Sequence, residues 1–239
     1  NSPEIFSFHN VSNKVNLGFN NISIKKFKKI FNSLLVLSKS KQIEICFDDG
    51  YEDIFLNVAP LFNNSSIPVT IFPITKYIGE YNKWDVNFII NRKKHLDYEQ
   101  LKILNTNSWK IGSHGHNHIS YKVLSRKQIY EDLKKSKDLL EDNLNIEIST
   151  FTPPFGHIND DLLSLVIEAG YKNLFINLQC ITLDTLKDDK LKIFNRFPVY
   201  TYDSEKSIER KINKNKIQIK FDNFIHFWAN ATVVVKKMS

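Results

Sequence analysis

Seven short apolar runs mark the chain between residues 5 and 200, and helix-like segments lie between them. The runs are IFSF (5–8), IEICF (43–47), VTIFPI (69–74), WKIG (109–112), ISTF (148–151), NLFI (173–176) and RFPVY (196–200). Each has strand length and is rich in β-branched and aromatic residues, and the stretches between them carry helix signals. Asp97 followed by Gln100, and Ser125 followed by Gln128, read as capping boxes that satisfy orphan N–H groups at helix starts. After the second box, Ile129, Leu133, Leu140 and Leu144 recur on one helical face. Asn159 caps a further expected helix through Leu162, Leu163 and Val166, which Gly170 ends. Such alternation implies parallel strands joined by right-handed crossovers, in an open doubly wound sheet or in a barrel. In both, chemistry collects at the carboxyl ends of the strands.

At 239 residues and 42% hydrophobic, the chain can bury a sizeable core, and one domain spanning residues 1–239 is expected. The formal charge of +7, from 33 Lys and Arg against 26 Asp and Glu, raises the question of a polyanionic partner. The distribution argues against nucleic acid. Only Arg92, Arg126, Arg196 and Arg210 are arginines, and the lysines are scattered among Asn and Ile. Cys46 and Cys180 are too few for a disulfide framework or a cysteine zinc cluster. No run reaches the roughly 18 apolar residues of a membrane span, and NSPEIFSFHN lacks a signal-peptide core. The expected location is therefore cytoplasmic. The first residue is not Met, so residues upstream of Asn1 are left open.

Three motifs stand at strand ends. In FDDG (47–50), Asp48 and Asp49 stack two like charges where the second run stops. Such a pair persists at low cost only as a solvated turn or where a cation takes up the charge. In SHGHNH (113–118), the four-residue separation of His114 and His118 lets two imidazoles converge on one ion, with His116 directed elsewhere. Gly115 excludes the metalloprotease pattern, which needs a glutamate at that position. Two histidines and a carboxylate leave coordination positions open for water and substrate, and zinc, cobalt, nickel or manganese all suit such a set. In FTPPFG (151–156), paired prolines and a glycine build a rigid wall that offers the Phe155 N–H.

In this order, FDDG, SHGHNH and FTPPFG resemble the polysaccharide deacetylases of the NodB-homology class, carbohydrate esterase family four. The resemblance runs from about Ile5 to Val199 and takes in LSRKQIYEDLKKSKDLLE (124–141) and LLSLVIEAGYKNLF (162–175). It implies a distorted, TIM-barrel-like (β/α) barrel of about seven strands, one divalent metal ion with zinc favoured, and hydrolysis of an N-acyl group on an amino sugar. The implied metal ligands are Asp49, His114 and His118, and the implied base is Asp48. Phe155 would donate its backbone N–H to the oxyanion, with Pro154 lining the substrate. The general acid is a late histidine in the family. Here that is His226, in a poorly matching context, with His9 in FHN as another candidate. Many members carry an arginine where this chain has Thr152, so Arg196 is a candidate partner for the base. Trp84 and Asp85, in the long loop 79–95, are candidate walls of the sugar site, whereas His95 and His157 read as structural. The expected partner is an amino-sugar glycan or glycolipid of a bacterial surface polysaccharide or its precursor, with acetyl favoured over formyl as the acyl group. The alternatives are a deacylase of a non-sugar substrate and a carbohydrate-binding relative with impaired catalysis.

Overall fold

The computed structural model describes residues 2–14, 18–83, 92–156, 158, 160–177, 190–213, 215, 217, 218, 220–222, 224 and 225. In chain order these residues form strands β1 (Glu4–Phe8), β2 (Asn10–Val11) and β3 (Asn21–Ile22), helix α1 (Ile24–Leu37), and strand β4 (Ile43–Phe47). Helices α2 (Glu52–Asn57) and α3 (Ala59–Phe62), strand β5 (Val69–Ile71), helix α4 (Tyr98–Thr106), strand β6 (Lys110–Ile111) and helix α5 (Arg126–Leu144) follow. The last elements are β7 (Thr150–Phe151), α6 (Asp160–Glu168), β8 (Asn173–Asn177), β9 (Lys192–Pro198) and α7 (Glu205–Ile212).

Seven strands join in the order β6-β5-β4-β1-β9-β8-β7, and every pairing is parallel. The two edges meet just beyond β6 and β7. There the Ser113 N–H donates to Thr150 O at 2.9 Å and the Thr152 N–H donates to Ser113 O at 3.0 Å. The sheet is thus a nearly closed barrel, as expected, and strands adjacent in sequence are neighbours around it.

Alternation along the strands sorts side chains into two clusters. Phe6, Phe8, Ile45 and Phe47 belong to the large core beneath the helices, while Ile5, Cys46, Phe72 and Phe175 form a smaller one within the barrel. Helix α1 closes one side of the large core through buried Phe27, Ile30, Phe31 and Leu34. The Phe27 ring meets Phe8 edge-on at 5.2 Å and Phe31 at 5.9 Å. Truncating such a buried ring to alanine costs about 3–5 kcal/mol.

Both expected capping boxes are present, at Asp97–Gln100 and Ser125–Gln128, and Ile129, Leu133, Leu140 and Leu144 are buried along α5. Two details differ from expectation. Strand β9 begins at Lys192 rather than Arg196, because Lys192 to Asn195 pair with Asn173 to Ile176 of β8. The two-residue strands β2 and β3 form a separate parallel pair. Among the described residues no helix is long and apolar enough to cross a membrane.

Candidate active site

Strand β4 delivers the first carboxylate. The Asp48 N–H donates to Phe8 O at 2.8 Å, which continues the β1–β4 ladder beyond Phe47 and gives Asp48 the same side of the sheet as Cys46. There its Oδ1 accepts a hydrogen bond from Arg196 Nη1 at 2.7 Å, with only 4% and 2% of the two side chains exposed. Arg196 stands on β9, two strands away across β1, and its guanidinium lies 5.8 Å from the centre of the Phe72 ring. Burial alone would push the Asp48 carboxyl up. The charge of Arg196, with the imidazoles of His114 and His9 nearby, outweighs burial and holds the carboxyl below its usual range. Burial works against the Arg196 charge as well, but Asp48 more than offsets it and raises the guanidinium pKa above its ordinary value. Thr152 takes no part in this pair, since its hydroxyl donates to Phe175 O at 3.0 Å.

Asp49 turns the other way because the backbone turns there. Its φ is 67°, and Gly50 follows at 71°. A Cβ on Gly50 would stand 2.8 Å from Pro73 Cα, so the tight turn needs glycine. Left-handed conformation at a non-glycine residue stores strain, and it recurs at His118 and Phe155. The turn brings Asp49 Oδ1 to 3.5 Å from His114 Nε2 and 3.3 Å from His118 Nε2. Ligand atoms of the three side chains all lie within 4.8 Å of one another, and all three residues are buried.

These residues fit a divalent ion. Asp49 Oδ1 is buried without a hydrogen-bond donor, which would be costly for a carboxylate left alone. Its two separations from nitrogen match the roughly 3.3–3.4 Å edge of a tetrahedron with ligands at about 2.0–2.1 Å. His114 is held for this role, because its Nδ1 donates to Thr152 O at 2.8 Å and so leaves the Nε2 lone pair directed at Asp49. Burial pushes the His114 imidazole down to about 4, which keeps it neutral and able to ligate. Burial also opposes the charge on Asp49, yet the imidazoles of His118, His9 and His114 gathered around it hold its carboxyl well below the usual range. His116 points away, bonded through Nδ1 to Thr75 Oγ1 at 2.9 Å.

The third motif forms the adjoining wall. The Phe155 ring packs against His118 with centroids 4.7 Å apart, and Pro154 is buried beside Gly115. Trp84, Asp85, His157 and His226 lie outside the described residues.

Two further histidines belong to this neighbourhood. His9 directly follows β1 and is half-buried, close enough to Asp48 and Asp49 to stabilise both carboxylates, and its Nδ1 is buried without a hydrogen-bond partner. His95 reads as structural in the sequence, yet its Nδ1 donates to the backbone oxygen of Asp49 at 2.8 Å and its ring packs against Tyr51 and Tyr77. The contact arises because Lys94 to Leu96 run beside the FDDG turn, where the Glu52 N–H donates to Lys94 O at 2.9 Å. Leu96 N–H donates to Gly50 O at 2.9 Å.

Fold and site together define a parallel (β/α) barrel with a carboxylate–arginine pair and an Asp–His–His cluster at the carboxyl ends of its strands. The chain belongs to the polysaccharide deacetylase family, whose model matches residues 37–174. It is 31% identical over 140 residues to the poly-beta-1,6-N-acetyl-D-glucosamine N-deacetylase of Staphylococcus aureus, covering 55% of this chain and 46% of that protein. The chain therefore spans about half the length of the curated relatives it matches. Solved structures share the fold, two of them as follows. The Streptococcus pyogenes deacetylase PplD in complex with acetate superposes with a TM-score of 0.68 at 17% identity, covering 87% of this chain and 96% of that one. IcaB from Ammonifex degensii superposes with a TM-score of 0.68 at 16% identity, covering 87% and 95%.

Proposed function

We propose that this chain is a metal-dependent N-deacetylase that hydrolyses the acetamido group of an amino sugar in a bacterial surface polysaccharide or its precursor. The observation that carries this reading is the buried Asp48–Arg196 pair standing next to the Asp49–His114–His118 cluster. Asp49, His114 and His118 would hold one divalent ion, zinc being favoured by two imidazoles and a carboxylate. Bound there, such an ion supplies Lewis-acid chemistry, lowering the pKa of water toward about 7 and polarising an acyl oxygen.

The protein's own groups do the rest. Asp48, kept ionised by Arg196, accepts a proton from the attacking water as the water oxygen bonds to the amide carbon. The Phe155 N–H donates to the oxygen on which charge develops. A general acid then protonates the nitrogen as the C–N bond breaks, which releases the free amine and acetate. For that step the half-buried His9 is the group at hand, standing beside both carboxylates with its Nδ1 buried and unpartnered.

The substrate class rests on the likeness to the staphylococcal protein, named for an N-acetylglucosamine polymer. Incubation with β-1,6-linked N-acetylglucosamine oligomers, with acetate and free amine measured with and without added Zn²⁺, tests the reading. Chelator-sensitive acetate release is expected. The absence of acetate release from any N-acetylated amino sugar in the presence of metal would refute it.

A further inference from the structure

The buried stripe of α5 contains a charge where an apolar residue is expected. Asp132 lies among Ile129, Leu133, Ser136, Lys137, Leu140 and Leu144 on the inward face and is 5% exposed. A carboxylate buried on the core side of a helix is costly unless every acceptor position is filled.

Asp132 meets that condition, and all but one of its donors belong to the stretch between the two histidine ligands. Oδ2 accepts from the His116 N–H at 2.8 Å and the Tyr121 hydroxyl at 2.8 Å. Oδ1 accepts from the Asn117 N–H and from Asn117 Nδ2, both at 2.9 Å. One helical turn on, the Ser136 hydroxyl bonds the Ser113 hydroxyl at 2.6 Å, next to His114. Gly115 makes room for the carboxylate. At φ 76°, a Cβ there would stand 2.7 Å from Asp132 Oδ2 and 2.8 Å from the Tyr121 hydroxyl.

We infer that Asp132 is a positioning residue, which fixes the backbone between His114 and His118 so that their Nε2 atoms converge with Asp49. The inference rests on the metal-site reading above. The donors to Asp132 named above are backbone and side-chain groups of His116, Asn117 and Tyr121, none of them a ligand ring. It acts by anchoring the two peptide N–H groups that set the trace from Gly115 to the left-handed His118. An asparagine in its place has one oxygen and one NH₂, so in either orientation its NH₂ faces donors that the carboxylate now satisfies.

The test uses Co²⁺ as probe on the purified full chain, with affinity measured by chelator competition and geometry by the visible d–d spectrum. For Asp132→Asn, Co²⁺ affinity is expected to fall about 10–100-fold with an altered spectrum, and Tyr121→Phe, which leaves the backbone bonds in place, loses less. A merely structural role would lower the melting temperature of the metal-free protein and leave affinity and spectrum unchanged in the folded variant, and that result overturns the inference. Should Asp132→Asn not fold, Gly115→Ala displaces the carboxylate while keeping its charge. Wild-type affinity and spectrum in that variant would overturn the inference equally. If the wild-type protein binds no Co²⁺, the metal-site reading fails and takes this inference with it. Normal wild-type binding with an unaffected variant sinks the inference alone.

Discussion

Replacing Arg196 by methionine isolates the interaction on which the reading of Asp48 depends. The two side chains are 2% and 4% exposed and joined at 2.7 Å, so removing the guanidinium strands a carboxylate in the barrel interior. Breaking one partner of such a buried pair costs about 3–5 kcal/mol. For a chain of 239 residues, where each kcal/mol moves Tm by about 2–4 °C, the expected loss is roughly 6–20 °C. Neutralising the second charge separates charge burial from lost packing. The double variant Asp48→Asn, Arg196→Met should regain all but about 1–3 kcal/mol, the cost of an amide left without its partner. Thermal and urea unfolding of wild type, both single variants and the double variant complete the cycle. A stability within 1 kcal/mol of wild type for Arg196→Met, or a double variant no better than that single one, would refute the reasoning.

Three other outcomes follow from the site. Asp48→Asn should lower kcat for deacetylation about 10²–10⁴-fold and leave metal content unchanged, checked by single-time-point acetate release and elemental analysis. Gly50→Ala should destabilise the protein by at least 1 kcal/mol in urea unfolding, since φ is 71° and the new Cβ would stand 2.8 Å from Pro73 Cα. The metal-free protein should lose stability on acidification. Burial holds both His95 and His114 down at about 4 when folded, against about 6.5 when unfolded. The unfolded chain therefore binds more protons between those values. The contribution is fully present above pH 6.5 and lost as pH falls through about 4. Urea midpoints measured from pH 7 to pH 4 should fall across that window, and a flat profile would contradict the assignment.

Much of this architecture was legible in the sequence because its signals are local. A capping box is written within four residues, and the stripe of α5 within nineteen. The order of strand ends likewise brought FDDG, SHGHNH and FTPPFG to one rim. What escaped depends on contacts between distant positions. Arg196 meets Asp48 across 148 residues, so its sequence context alone made it no more than a candidate partner for the base. His95 hydrogen-bonds the Asp49 backbone across 46 residues, and nothing near it in sequence marks that contact. Strands β2 and β3 are two residues each, too short for alternation to register. The start of β9 was missed because Lys192 and Asn195 interrupt its apolar run.

The central claim is that Asp49, His114 and His118 share one ion. Anomalous diffraction from crystals grown with Zn²⁺, recorded on both sides of the zinc edge, tests it directly. The account predicts one strong peak about 2.0–2.2 Å from a carboxylate oxygen of Asp49 and from the Nε2 atoms of both histidines. A map with no peak there, or with zinc bound only by other side chains, would contradict it.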